Sequence, residues 1–239
     1  SALPERLSKK IAGPTRMDVQ GKRLVSAAIE NNVRVMGTTV FSEPLALTLQ
    51  AAKEAASEKL MHHSILFTDG CPVPTQWSEK DERRKAIEQA NKLGMFGAIL
   101  SCLGYGFYYD ADFLRELISA NGGNGCYLHI SEIEEFTDAV NAIKAVVQKM
   151  TPVQVELTVS TDKGMASRVF RTTPEVTLAG KGGNIHVSAL YNGVADLYVE
   201  VPTGSKSVKV TGTLNSQKFE VSNSVSLDSK DQADYVRVL

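Results

Sequence analysis

Hydrophobic and polar positions follow two different rhythms in this chain, and the change comes at Thr151-Pro152. Before it, short apolar runs alternate with stretches of helical period. Residues 64–68, 97–103 and 126–130 have the length and apolarity of buried strands. Residues 20–31 read as a helix with Leu24, Ala27, Ala28 and Ile29 near one face. Ser42 is placed to cap a helix running to Lys59, with Pro44 harmless in its first turn and Leu45, Leu49, Ala52 and Ala56 as its buried stripe. Residues 80–93 turn Ile87, Ala90 and Leu93 inward. Asp112 is expected to cap a helix carrying Phe113, Leu114, Leu117 and Ile118, closed by Asn121-Gly122. Residues 132–149 place Phe136, Val140, Ile143 and Val147 on one side. Residues 1–19, broken by Pro4 and Pro14, read as a lead-in with a short extended piece at 7–12. Strict alternation of strand and helix implies right-handed βαβ units: an α/β, Rossmann-like parallel sheet with helices on both faces.

From residue 151 onward the period is two. Residues 153–159, 197–201, 207–210 and 219–221 alternate apolar with polar positions, separated by Asp162-Lys163-Gly164, residues 180–184, Asn192-Gly193 and Thr203-Gly204. Such spacing predicts an antiparallel β-sandwich of about six or seven strands. The expected organisation is an α/β domain over 1–150 and a β-sandwich over 151–239.

Composition adds mainly exclusions. Apolar residues make up 43% and charged ones 22% of 239 residues, as in an ordinary globular protein. A net charge of -1 lacks the basic excess that nucleic-acid binding requires. No apolar run is long enough for a membrane span. Cys71, Cys102 and Cys126 are odd in number and lack metal-type spacing, so they read as reduced thiols. With no glycosylation sequon and no visible signal peptide, this favours a cytoplasmic setting without fixing it.

The organising stretch is residues 64–70, Ser-Ile-Leu-Phe-Thr-Asp-Gly, where an apolar strand delivers Asp69 to a loop. Upstream stands Gly37-Thr38-Thr39 with Leu45. Downstream come Leu66-Phe67-Thr68-Asp69-Gly70-Cys71-Pro72, Gly104-Tyr105-Gly106, Leu114-Arg115-Glu116-Leu117-Ile118-Ser119-Ala120 and Asn121-Gly122-Gly123. These pieces, in this order, resemble the second half of a von Willebrand factor type A domain, over residues 37–148. Met17-Asp18 with Gly21-Lys22 resembles the segment before the Thr turn, and the β-rich part resembles the sandwich that trails this domain in many microbial proteins. The resemblance implies a metal-ion-dependent adhesion site in which Thr39 and Asp69 would be Mg²⁺ ligands and a partner's acidic side chain would complete the shell. The family's Asp-x-Ser-x-Ser motif occurs nowhere in residues 1–239, and the chain is expected to begin just before the family's second helix, without its opening strands. Residue 239 falls inside an alternating run.

Thr39 and Asp69 alone supply two oxygens, a sparse set for Mg²⁺. The competing reading makes Asp69 a strand-end residue bonded to its own loop and Thr39 a helix-entry hydroxyl. His62 and His63 are adjacent on a strand and point to opposite faces, which disfavours a shared metal. His129 reads as a packed core histidine, and Asp110 and Asp112 as cap chemistry rather than a calcium loop. Gly104-Tyr105-Gly106 lacks the third glycine of a dinucleotide fingerprint, and residues 180–184 lack the Lys-Ser/Thr of a phosphate loop. Tyr105, Phe107, Tyr108 and Tyr109 gather at the strand end nearest Asp69, partly as core and partly as contacts for a partner. The leading expectation is an adhesion-type, non-enzymatic module that docks a protein partner at the strand carboxyl ends. Two alternatives stand beside it: a structural or assembly subunit whose sheet is completed by a second chain, and a small α/β enzyme using Asp69, for which no nucleophile elbow or paired carboxylates are present.

Overall fold

A computed structural model describes residues 8–33, 37–74, 76–174, 176–214, 217–224 and 235–238. The extended piece expected at 7–12 lies partly outside these residues, as does residue 239, and residues 8–17 form neither helix nor strand. Helix α1 (Val19–Asn32) starts where Asp18 accepts a hydrogen bond from Gly21 N at 2.9 Å. Its expected inner face is in fact largely outside: Leu24 is 60% and Ile29 47% exposed, and only Gly21 is buried. Period fixes a helix; burial also needs a surface to receive the stripe.

Helix α2 (Ser42–Ser57) buries Leu45, Leu49 and Ala52 as expected, while Ala56, in its last turn, is only half-buried. Ser42, however, is the first helical residue and does not cap. The residues that follow are β1 (His63–Thr68), α3 (Glu79–Met95), β2 (Ile99–Tyr105), α4 (Ala111–Ala120), β3 (Tyr127–Ile130), a 3₁₀ turn (Ile133–Glu135) and α5 (Phe136–Val147). The cap of α4 is Asp110, which accepts from Phe113 N at 2.9 Å, and not Asp112. A cap residue needs extended backbone outside the helix; Asp110 has it (φ -96, ψ 97), whereas Asp112 is already in the first turn.

The sheet is parallel in the order β1-β2-β3, with His63 opposite Ile99 and Cys102 opposite Tyr127. One face, with Leu66, Leu100 and Cys102, lies under α2, α3 and α4. The other face, with Leu103 and Ile130, lies under α5 through Ala139 and Ile143. That second cover reaches β1, the edge strand, through Phe136 beside Phe67, and Ile65 and Phe67 remain 42% and 45% exposed.

Among the described residues nine strands follow: β4 (Met150–Thr161), β5 (Gly164–Met165), β6 (Arg168–Arg171), β7 (Thr177–Lys181), β8 (Asn184–Tyr191), β9 (Leu197–Glu200), β10 (Ser207–Leu214), β11 (Gln217–Ser224) and β12 (Tyr235–Val238). One antiparallel sheet runs β11-β10-β4-β5 with β8 also on β4, and the other runs β12-β9-β6-β7. Val159, Val169, Val187, Val199 and Val208 fill the space between them. The count exceeds the expected six or seven because β5, β6 and β7 are short segments with little alternation; β8 does alternate, with Ile185, Val187 and Ala189 inward.

The α/β and β-rich parts meet through Met150, packed with Ile99 and Ala189. Fully buried Arg171 donates to Asn124 Oδ1 and to the carbonyls of Thr173 and Ala189, and burial lowers its pKa to about 10. Gly122, at φ +95, lets the His186 carbonyl come within 2.7 Å of where a Cβ would stand. A side chain there would push the two parts apart.

Candidate functional site

The carboxyl ends of β1, β2 and β3 form one rim, and a buried carboxylate anchors the first of its loops. Glu82, on the first turn of α3 and fully buried, reaches across to the start of α2. Its carboxylate accepts from Phe41 N and Ser42 N, both at 2.6 Å, from Ser42 Oγ at 2.8 Å and from Trp77 Nε1 at 2.7 Å. An anion at a helix N-terminus satisfies the unpaired N–H groups and the helix dipole together. Glu82 thus performs the capping expected of Ser42, from a residue that no local pattern links to α2.

Just ahead of that helix, Thr39 bridges Val73: Val73 N donates to Thr39 O at 2.9 Å, and Thr39 N to Val73 O at 3.4 Å. A Cβ on Gly70 would stand 3.0 Å from Thr39 Oγ1, so the Thr39 hydroxyl lies against the turn that follows β1. The structure therefore brings Thr39 and the Asp69-Gly70 turn together. Asp69 is exposed and Thr39 half-buried. The hydroxyl that ties this turn is Thr68 Oγ1, which accepts from Gly70 N at 3.2 Å. One carboxylate and one hydroxyl make an incomplete shell for a hard cation, and among the described residues no three His, Cys, Asp or Glu side chains gather as a metal site.

The second half of the rim is the loop after β2. A Cβ on Gly104 would fall 2.3 Å from the Tyr109 ring, so the glycine lets that ring lie on the strand. Tyr109 OH then meets Tyr127 OH and His129 Nδ1, each at 2.6 Å, and His129 Nε2 lies 3.2 Å from Ser131 Oγ. Burial, then the bond to Tyr127, raises the Tyr109 pKa well above the ordinary phenol. His129 is exposed rather than a core residue, because α4 covers this face only as far as Tyr127. Tyr105 packs with Leu128 on the opposite face. Between these anchored tyrosines, Phe107 and Tyr108 stand 82% and 85% exposed. Cys71 Sγ donates to Tyr108 O at 3.2 Å, which links this loop to the one after β1.

The other candidates disperse. His62 Nε2 lies 2.7 Å from Ser64 Oγ and His63 Nε2 2.9 Å from Ser101 Oγ, so each imidazole has its own hydroxyl. Burial, reinforced by the charge of His62, lowers the His63 pKa to about 4. Asp112 is almost wholly exposed. Away from the rim, a cavity of about 620 Å³ between α3, α4 and the β-rich part is lined by Glu116, Glu156, Lys181 and His186 among others. No motif marked it in the sequence, since its walls come from both parts of the chain.

This architecture has a von Willebrand factor type A-like fold: a parallel sheet with helices, followed by a β-rich part. No protein-family model and no curated protein sequence matches the chain. Solved structures do. A von Willebrand factor type A protein from Catenulispora acidiphila matches with a TM-score of 0.62 at 18% identity, covering 86% of this chain and 51% of that one. The ArnB paralog VWA2 from Sulfolobus acidocaldarius matches at 18% identity, with a TM-score of 0.37 and 81% and 47% of the two chains covered. The human COPII-coat protein Sec24c matches at 16% identity, with a TM-score of 0.43 and 85% and 31% covered. The chain spans about half, or less, of the length of these structures. No described helix is long and apolar enough to cross a membrane.

Proposed function

We propose that this chain is a non-catalytic protein-binding module that docks a partner at the carboxyl-end rim of its parallel sheet. The observation that carries this reading is the pair Phe107 and Tyr108, exposed on a loop that is fixed at both ends. Exposed aromatics on a rigid backbone are the usual anchors of an interface, because little freedom is lost when they are covered. Thr39 and Asp69 border the same rim and are proposed as contacts. Docking is not routed through a metal, and the chemistry of the rim side chains is that of recognition.

Peptides selected against the protein from an unbiased library test the reading. The expected result is that they shift the amide resonances of residues 69–73 and 105–110. The Phe107→Ala, Tyr108→Ala double variant should bind them at least tenfold more weakly with unchanged melting. Selected peptides that map elsewhere, or that ignore the double variant, overturn it.

A second reading has its own support. The free edge of β1, with Ile65 and Phe67 half-exposed beside it, is a surface onto which a further strand would fit, as in an assembly subunit whose sheet is completed by another chain. Light scattering of the purified chain distinguishes the two readings. Self-association abolished by Phe67→Lys favours strand addition, and a monomer that binds rim peptides favours docking.

A further inference from the structure

We infer that the partner segment this rim takes is basic, with Lys or Arg beside an apolar side chain; the inference rests on the docking reading above. The groups surrounding Phe107 and Tyr108 are mostly acidic. Asp69 follows β1, Asp110 and Asp112 open α4, and Glu132, Glu134 and Glu135 follow β3. The described loops after β1, β2 and β3 carry no Lys or Arg; the nearest cations stand on α3 (Lys80, Arg83, Arg84 and Lys85), interleaved with Glu79, Asp81 and Glu82, and on α4 (Arg115). Arg83 lies 2.6 Å from Asp110 and 2.8 Å from Glu79. Arg115 lies 3.5 Å from Asp112 and stacks over the Tyr127 ring at 4.3 Å. The whole chain is nearly balanced, with 26 basic and 27 acidic residues, so the excess is a property of this rim rather than of the protein.

Charge and shape then select together. A partner carboxylate approaching the rim meets like charge. A Lys or Arg meets an attractive field that persists over roughly a Debye length of 8–10 Å. It also finds two aromatic faces, Phe107 and Tyr108, over which a cation is stabilised. The apolar neighbour of that cation covers the ring surface left exposed. The same field disfavours an anionic lipid surface, the other setting in which exposed aromatic pairs are useful. The Tyr109–Tyr127–His129 bonds hold the loop in place before the partner arrives, so binding needs little reordering.

The test uses the full chain and two short peptides of equal length and equal Leu content, one carrying Arg and Lys and the other Asp and Glu in the same positions. In amide-resonance titrations the basic peptide should shift residues 69–73, 105–112 and 131–135 and bind about tenfold more tightly than its acidic twin. Its affinity should fall by about fivefold to tenfold between roughly 50 and 300 mM salt. Asp112→Asn with Glu134→Gln should weaken it about fivefold while leaving the melting temperature unchanged, since both side chains are exposed. An acidic peptide that binds the same residues equally well or better overturns the inference and leaves the docking reading standing. A basic peptide that shifts other residues, or none, also overturns it, and the library peptides then decide the docking reading independently.

Discussion

Replacing Glu82 is the sharpest probe of how the rim is built. The side chain is fully buried, and four donors point at it: the backbone N–H groups of Phe41 and Ser42 at the start of α2, the Ser42 hydroxyl and the Trp77 indole. In Glu82→Ala the two backbone donors lose their acceptor inside the protein, at about 1–3 kcal/mol for each unsatisfied group. The α2 dipole loses its anion, a further contribution of up to about 2 kcal/mol in a buried setting. Relief from desolvating the carboxylate offsets part of this, so the net loss should be about 3–5 kcal/mol. Glu82→Gln keeps the shape but places an NH₂ against either the backbone donors or the Trp77 N–H. It should therefore lose about 2–3 kcal/mol. Urea unfolding followed through Trp77, the single tryptophan of the chain, reads the event next to the substitution. If Glu82→Ala loses less than about 1 kcal/mol, or if Gln matches the parent, the carboxylate is not the capping group assigned here.

Asp110→Ala should lose about 1–2 kcal/mol, because it removes the cap on Phe113 N and the partner of Arg83, whereas Asp112→Ala should change stability by less than about 0.5 kcal/mol; equal effects in thermal melts would contradict the assignment. His63 stays neutral in the folded chain down to about pH 4, while the unfolded imidazole takes a proton near its ordinary 6.5. Stability is accordingly full above pH 6.5 and falls between 6.5 and 4, by about 2–3 kcal/mol; His63→Asn should flatten that part of the pH profile, and an unchanged slope would exclude His63 as its source. Arg171→Lys should cost about 2 kcal/mol, since one ammonium cannot reach the acceptors on Thr173, Asn124 and Ala189 together, and hydrogen exchange should speed up at residues 122–124; an unaltered exchange rate there would remove Arg171 as the link between the two parts.

The elements that were legible in the sequence are those whose signal is local. The strand ending in Asp69 is an apolar run stopped by Asp-Gly, and it forms β1 with one residue added in front. The helix of Phe113, Leu114, Leu117 and Ile118 buries all four. What the sequence hid depends on distance or on backbone conformation. Glu82 and Ser42 are 40 residues apart, and nothing in either neighbourhood announces the other. Asp110 and Asp112 are equally good caps by residue type, and only the chain direction at the start of α4 separates them. Leu24 and Ile29 have the right period for burial, yet no described element covers them. His129 shares a strand face with Tyr127, but two residues further along the strand the helix cover has ended. The exposed pair Phe107 and Tyr108 could be told from the packed pair Tyr105 and Tyr109 only once the Tyr109 ring was seen to occupy the space above Gly104.

Two kinds of apolar exposure occur in this molecule, and the difference between them bears on function. Ile65 and Phe67 lie on a strand whose backbone is fixed by the sheet, and each is still about half covered; Phe67 has the rings of Tyr105 and Phe136 at 6.3 and 5.3 Å. They form part of an interior wall that is open on one side, which suits another strand or helix laid against it. Phe107 and Tyr108 are more than four-fifths exposed. The hydrogen bonds on their loop are made by Tyr109, His129 and the Tyr108 carbonyl, and the outward rings are left largely uncovered, Phe107 with only the His129 ring beside it at 6.3 Å. Leaving rings in water costs stability that burial would recover, while the hydrogen bonds of their neighbours preserve the loop's shape. In the proposed docking, a loop with a stabilised backbone and uncovered aromatic rings would supply the anchor, and the carboxylates of the neighbouring loops would set the sign of the segment it takes.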